Sequence, residues 1–508
     1  MPVGPSSAIA RWMLPAITLL FYLVTIQGYG YFRDELYYLA CGRHLGFGYV
    51  EHPPLIGLVA ALVRGLLGES LLAIRLLPAL AAAATVWLAG SIARQLGGGR
   101  FAQVLAGLAT LLAPTYLALF SIFSMNAFDV LFWALGWWLL VRILRTGNQR
   151  LWLALGAVMG LGLENKISVL FMLFGIFVGL VLSRRWELLR SCWLWLGMAS
   201  ASLIFLPHLL WEMAYGWPIL EFMDNARRLK NVALSPLAFL KEQILHAGPI
   251  ALPIWLAGLG FFLLARGARP YRALGWAYLA ILGAMLAAGN AKPYYLGPAY
   301  TVLFAGGAVA IELWTSRSGA AVLRAAVLTL LICGSLMIAP LAKPLLPVDT
   351  FVRYAGWLGI QPSAGERHEM GRLPQHFADM FGWPELAETV ARVYNALPPQ
   401  DRRRACIFGQ NYGQAGAIDL FGPRYGLPRA ISAHNSYYLW GPGRCSGEVV
   451  IVIDDDRESL EEVFQSVELG TIYTCKDCMP YENNKPIWVA RRMRLPLSKL
   501  WPQIKHYI

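Results

Sequence analysis

Two short runs near the N-terminus gather groups able to move protons or hold ions. The first, Tyr31-Phe-Arg-Asp-Glu-Leu-Tyr-Tyr38, places Asp34 and Glu35 directly after an apolar stretch. A carboxylate at membrane depth is costly unless it is paired or used. Asp34 therefore reads in one of two ways: as a solvated acid beside an aromatic belt, or as a base on an interfacial amphipathic helix whose apolar side is Leu36, Leu39 and Ala40. The second run, Glu51-His-Pro-Pro-Leu55, leads into another apolar segment. Two prolines there can simply start a helix. They also stiffen the backbone around an oxygen ligand, Glu51, and a nitrogen ligand, His52, which suits a divalent metal. His208, after Pro207, is a candidate for a further metal nitrogen or a structural histidine.

These groups need elements to carry them, and composition fixes the solvent of those elements. Of 508 residues, 57% are hydrophobic and 14% charged, with a mean hydropathy of +0.50; this is the composition of a membrane protein. The net charge of +13 does not indicate nucleic acid, because the arginines stand in small groups between apolar stretches rather than on one dense basic face. A hydrocarbon core about 30 Å thick needs about 20 apolar residues per helix, and about eleven such stretches are expected. They lie near 12–30, 71–93, 101–120, 127–145, 151–163, 167–183, 191–211, 249–265, 273–289, 294–313 and 321–345. The first is too long for the core of a signal peptide and is read as an uncleaved span.

Arginines at 11, 94, 100, 142, 145, 150, 184, 185, 190, 266, 269, 272 and 317 fall on one side of these spans. The positive-inside rule then puts the N-terminus in the cytoplasm. The loops 31–70, 121–128, 164–166, 212–248 and 290–293 and the tail are expected on the opposite side. The expected division is a transmembrane domain, 1–347, and an extracytoplasmic α/β domain, 348–508. The tail has β-rich runs, Glu448-Val-Val-Ile-Val-Ile453 and Pro486-Ile-Trp-Val-Ala490, and an acidic helical stretch around 457–466. Its Gly409-Gln-Asn-Tyr-Gly413, Phe421-Gly-Pro-Arg-Tyr425 and His434-Asn-Ser-Tyr-Tyr-Leu-Trp440 runs predict turns, with rings and amides suited to sugar. Cys475-Lys-Asp-Cys478 is half of a zinc spacing without a second half, and in an oxidising compartment the tail cysteines favour one or two disulfides.

The Tyr-x-x-Asp-Glu-x-x-Tyr loop paired with Glu-His-Pro-Pro-Leu resembles the bacterial GT-C membrane glycosyltransferases. These are relatives of the protein O-mannosyltransferases and lipid A aminoarabinose transferases, similar to glycosyltransferase family 39. Ser124-Met-Asn-Ala-Phe-Asp-Val-Leu-Phe-Trp133 and Ala291-Lys-Pro-Tyr-Tyr-Leu296 look like that family's later acidic and aromatic motifs. The resemblance implies that a sugar passes from a polyprenyl phosphate to an extracytoplasmic lipid, glycan or protein, at the cell membrane, with inversion and without a nucleotide cofactor. It assigns Asp34 as base and Glu51 as a metal-binding position. Asn126 stands where relatives place Asp, with Asp129 a turn later as a second catalytic candidate. His52 stands where the aminoarabinose group carries Lys. A phosphate leaving group needs cations or donors. Lys166, Lys292 with Tyr294 and Tyr295, and Arg227 are candidates, each also readable as an interfacial anchor or a solvated loop charge. The competing expectation is a secondary transporter or flippase for a lipid-linked sugar, which would place ionisable or broken-helix sites at mid-membrane.

Overall fold

A computed structural model describes residues 3–316, 320–362 and 365–508; Arg317 lies outside them. By contacts the chain forms two compact units. One comprises Met1–Gly28, Leu72–Trp211 and Ala233–Pro347, and the other Tyr29–Leu71, Glu212–Val232 and Val348–Ile508. Two segments of the 1–347 region, Tyr29–Leu71 and Glu212–Val232, thus cluster with the tail.

The first unit is helical. Among the described residues six helices are long and apolar enough to cross a membrane, and the pair Pro236–Ala247 and Pro249–Leu264, bent by 93°, forms a possible seventh. Five further apolar helices have 10–17 residues, among them Ile9–Val24, Arg100–Leu112, Leu151–Asn165 and Val169–Leu182 in this unit. Helix occupies each of the expected stretches, with breaks where the sequence demands them. The stretch 101–120 is divided at Ala113, which is extended (ψ 126°) before Pro114, because proline disfavours α conformation in the residue preceding it. Without a hydrophobic drive between helices in lipid, small residues permit close packing. A Cβ on Gly307 would collide with the Ile254 carbonyl oxygen, and one on Gly258 with that of Leu303.

The second unit is α/β. Its five-stranded sheet comprises β1 (Ala405–Gly409), β2 (Ala430–Ile431), β3 (Val449–Ile453), β4 (Phe464–Tyr473) and β5 (Lys485–Met493). The strand order is β2-β1-β3-β5-β4. β2, β1 and β3 run parallel, while β5 is antiparallel to both β3 and β4. Every residue of β3 is buried, as expected of a central strand covered on both faces. The acidic helix is shorter than expected: it spans Arg457–Val463, and β4 begins at Phe464. A disulfide joins Cys406 to Cys445; Cys475 and Cys478 are free thiols.

The same unit contains the helices Arg33–Cys41 and Leu55–Leu67. Arg33–Cys41 packs on the tail helix Tyr412–Phe421. This contact depends on glycine: a Cβ on Gly416 would stand 2.9 Å from the Leu36 Cβ, and one on Gly413 2.6 Å from the Arg33 Cγ. Three residues apart, the two glycines flatten one helix face.

Candidate active site

Arg33–Cys41 begins where Glu35 turns back to accept the Phe32 N–H at 2.8 Å, the reciprocal half of a capping box. Glu35 is thereby buried as a cap, and Asp34 is left at the first turn. Asp34 Oδ1 accepts the Tyr412 hydroxyl at 2.8 Å. The Arg33 Nε lies 3.8 Å from the same oxygen, with the Asp34 side chain 31% exposed; the base candidate is therefore oriented yet reachable.

Arg33 is itself fixed. Its guanidinium lies over the Tyr412 and Tyr481 rings, at 5.3 and 5.9 Å from their centroids, and donates to the Tyr481 hydroxyl at 2.7 Å. Tyr481 donates to Asp379 at 2.9 Å. Burial pushes the Asp379 carboxyl up, against the pull of the Arg33 charge. Tyr412 opens its helix directly after Asn411, whose side chain accepts the N–H groups of Gly413 and Gln414 at 2.9 and 3.0 Å as an N-cap. Glu482 accepts from Asn411 and Gln414 at 2.8 and 2.9 Å, and its carboxyl is pushed up to about 7, chiefly by burial. His434 accepts the Tyr412 N–H at 3.2 Å and donates to the Ile508 carbonyl at 2.9 Å. Burial holds its pKa well below the usual histidine value, so the ring is neutral.

Glu51 joins this network through aromatic rings. Tyr37 donates to Glu51 Oε2 at 3.0 Å, and the Tyr37 ring leans on that of Tyr412 with centroids 4.7 Å apart. Ser436 locks the arrangement, donating its N–H to the Tyr37 oxygen at 3.2 Å and accepting the Val50 N–H at 3.0 Å. Burial pushes the Glu51 carboxyl up to about 8; the Asp34 charge adds to this, while Tyr37 and Lys230 oppose it. At neutral pH Glu51 is therefore mostly protonated beside an orienting tyrosine.

His52 is fully buried. Its Nδ1 donates to the Pro53 carbonyl at 2.8 Å, and its ring is packed among Tyr37, Tyr38 and Tyr49 at 6.0, 5.3 and 4.9 Å. His208, in the helical unit, is 1% exposed and stacks on Trp211. Among the described residues no group of three or more His, Cys, Asp or Glu is placed to hold a metal ion. His52 has its Nδ1 committed to the Pro53 carbonyl, and Glu51 and His52 by themselves make no closed ligand set.

The helical unit holds a second cluster. Lys166 donates to Asn126 Oδ1 at 2.6 Å and faces the rings of Tyr294 and Tyr295 at 5.6 and 4.5 Å. Asp129, buried on Met125–Thr146, accepts from Ser168 at 2.8 Å. Asn126 and Asp129 thus reach the same turn, residues 165–168, by different partners. Lys292 precedes the 3-10 segment Pro293–Ala299 that carries the two tyrosines. Arg227 stands apart from both clusters as a solvated charge, 63% exposed and 3.7 Å from Asp224. Arg33, Asp379, Tyr481 and Glu482 are residues that the sequence reading missed, while Tyr412 and Ser436 lie in runs that it predicts as turns with rings and amides suited to sugar.

Residues 51–211 match the model of a family described as dolichyl-phosphate-mannose-protein mannosyltransferase. No curated protein matches the chain in sequence. The fold is similar to that of ArnT from Cupriavidus metallidurans bound to undecaprenyl phosphate, with a TM-score of 0.64 at 14% identity over 94% of this chain and 97% of that one. The apo state of the same protein gives a TM-score of 0.65, with the same identity and coverage. Arabinofuranosyltransferase AftD from Mycobacteria matches at a TM-score of 0.54 and 16% identity, over 97% of this chain and 40% of that one. The chain has the fold of the GT-C membrane glycosyltransferases.

Proposed function

We propose that this chain, with a GT-C fold and a mannosyltransferase-type segment, moves a sugar from a polyprenyl phosphate to an acceptor hydroxyl outside the cytoplasm, with Asp34 as base. The observation that carries this reading is the holding of Asp34: one carboxylate oxygen is engaged by Tyr412, and the group retains a solvent-accessible side. In the reaction the acceptor hydroxyl gives its proton to Asp34 as its oxygen bonds to the anomeric carbon. The bond from that carbon to the phosphate oxygen breaks, and the phosphate departs on its prenyl chain with both electrons. A single displacement inverts the carbon.

Each remaining group has a part in this reading. Arg33 sets a fixed positive charge 3.8 Å from Asp34. The protonated Glu51 offers a donor for a sugar hydroxyl. Taken by itself, the helical unit offers Lys166 beside two phenols as a cation for a lipid phosphate. The undecaprenyl phosphate of the ArnT complex supports a donor of that chemistry.

The test is transfer from radiolabelled polyprenyl-phosphate sugars by the purified full chain and by Asp34→Asn. Loss of at least about a hundredfold is expected, the scale of a positioned base. Undiminished transfer by the variant would remove Asp34 from the mechanism, and a wild type inert with every such donor would sink the transferase reading.

A further inference from the structure

A second feature of the α/β unit takes no part in this chemistry. A cavity of about 410 Å³ is lined by Arg43, Arg64, Glu69, Asp419, Leu427 and Arg429, among others. Asp419 lies seven residues along the helix from Tyr412, about 10 Å at 1.5 Å per residue, so the cavity is separate from the base. Its acids are largely committed. Asp419 accepts from the Ala430 N–H and the Tyr437 hydroxyl, both at 3.0 Å, and Glu69 pairs with Arg43 at 2.7 Å. Arg64 reaches Glu69 only at 3.9 Å, and Arg429 is exposed. Two guanidinium groups therefore face the space with donors to offer, and guanidinium forks match phosphate oxygens.

Exposed apolar side chains adjoin the lining residues in sequence. Leu66 and Leu67, just before Glu69, are 80% and 53% exposed, and Leu45 and Phe47, just after Arg43, are 60% and 65% exposed. Leu55–Leu67 has 13 residues, about 20 Å of helix, too short for a core about 30 Å thick and suited to lying in the interface. An arginine-lined hollow flanked by bare leucines fits an amphiphile with a phosphate head.

We propose that this cavity binds the phosphate of an anionic membrane phospholipid, with acyl chains along Leu66, Leu67, Leu45 and Phe47. The cavity lies about 10 Å along the tail helix from Tyr412. Arg43 follows the helix of Asp34 within two residues and donates to the Asp419 carbonyl at 2.6 Å, so an occupied cavity steadies the end of that helix.

The experiment titrates fluorescent phosphatidylglycerol into the detergent-solubilised full chain, with inorganic phosphate as competitor. Saturable binding is expected, weakened about tenfold or more in Arg64→Gln/Arg429→Gln by loss of charge-assisted hydrogen bonds. Arg424→Gln, just outside the lining, should leave binding unchanged, and Arg64→Lys/Arg429→Lys should retain most of it, which separates loss of charge from loss of fold. Leu66→Ser should weaken the lipid, with inorganic phosphate displacing it only at far higher concentration. Unaltered binding in the double glutamine variant overturns the site. Displacement by inorganic phosphate at the lipid's own affinity, with Leu66→Ser silent, assigns the cavity to a free anion and overturns the lipid.

Discussion

A base that takes a proton from a hydroxyl must be oriented through one oxygen and left open at the other, and Asp34 meets both demands with Tyr412 on Oδ1. Glu51 is the contrasting carboxyl: burial lifts it from 4.5 to about 8. The sign follows. Between pH 4.5 and about 8 the folded chain keeps a proton that the unfolded chain has released, so the contribution is fully present below 4.5 and is lost as pH rises toward 8. Glu51→Gln cannot titrate, and its apparent thermal midpoint should gain on wild type between pH 5 and pH 9, with a slope of at most about 1.4 kcal/mol per pH unit. An equal gap between the two proteins at both ends would mean that Glu51 ionises normally. Asp34 and Glu51 stand in short local motifs, which is why the sequence draws attention to them. Tyr412 stands 378 residues from its partner Asp34, and no local pattern joins positions so far apart.

The element that matters most to Asp34 is the helix Tyr412–Phe421, and its sequence disguised it. The glycines at 409 and 413 suggested turns, whereas Asn411 caps a helix whose glycines at 413 and 416 serve contact with Arg33–Cys41. Gly416→Val should force the two helices apart. Overpacking of this kind costs about 1–3 kcal/mol, so a lower melting temperature and at least about a tenfold loss of transfer are expected; an unchanged rate would mean that the contact does not position Asp34. Membrane helices were read more easily, because apolar stretches of about 20 residues leave few alternatives in lipid. The break at Ala113 could be seen in Pro114. The strand Phe464–Tyr473 could not, because its burial depends on pairing with Lys485–Met493, a tertiary fact that overrides local propensity.

At the scale of the molecule, the chain's order and its compact units disagree. A single cut at 347 would leave Tyr29–Leu71 without the tail residues it clusters with. A chain ending at Pro347 should therefore insert yet show no transfer, and co-expression of 348–508 should restore transfer if the pieces assemble; full activity of the short form would make the tail dispensable. The Tyr412–Asp34 bond also has a consequence in time. At about 5–20 residues per second, synthesis takes roughly 20–80 s to travel from one partner to the other. Throughout that interval the nascent polypeptide already carries its acidic loop but lacks the hydroxyl that holds it.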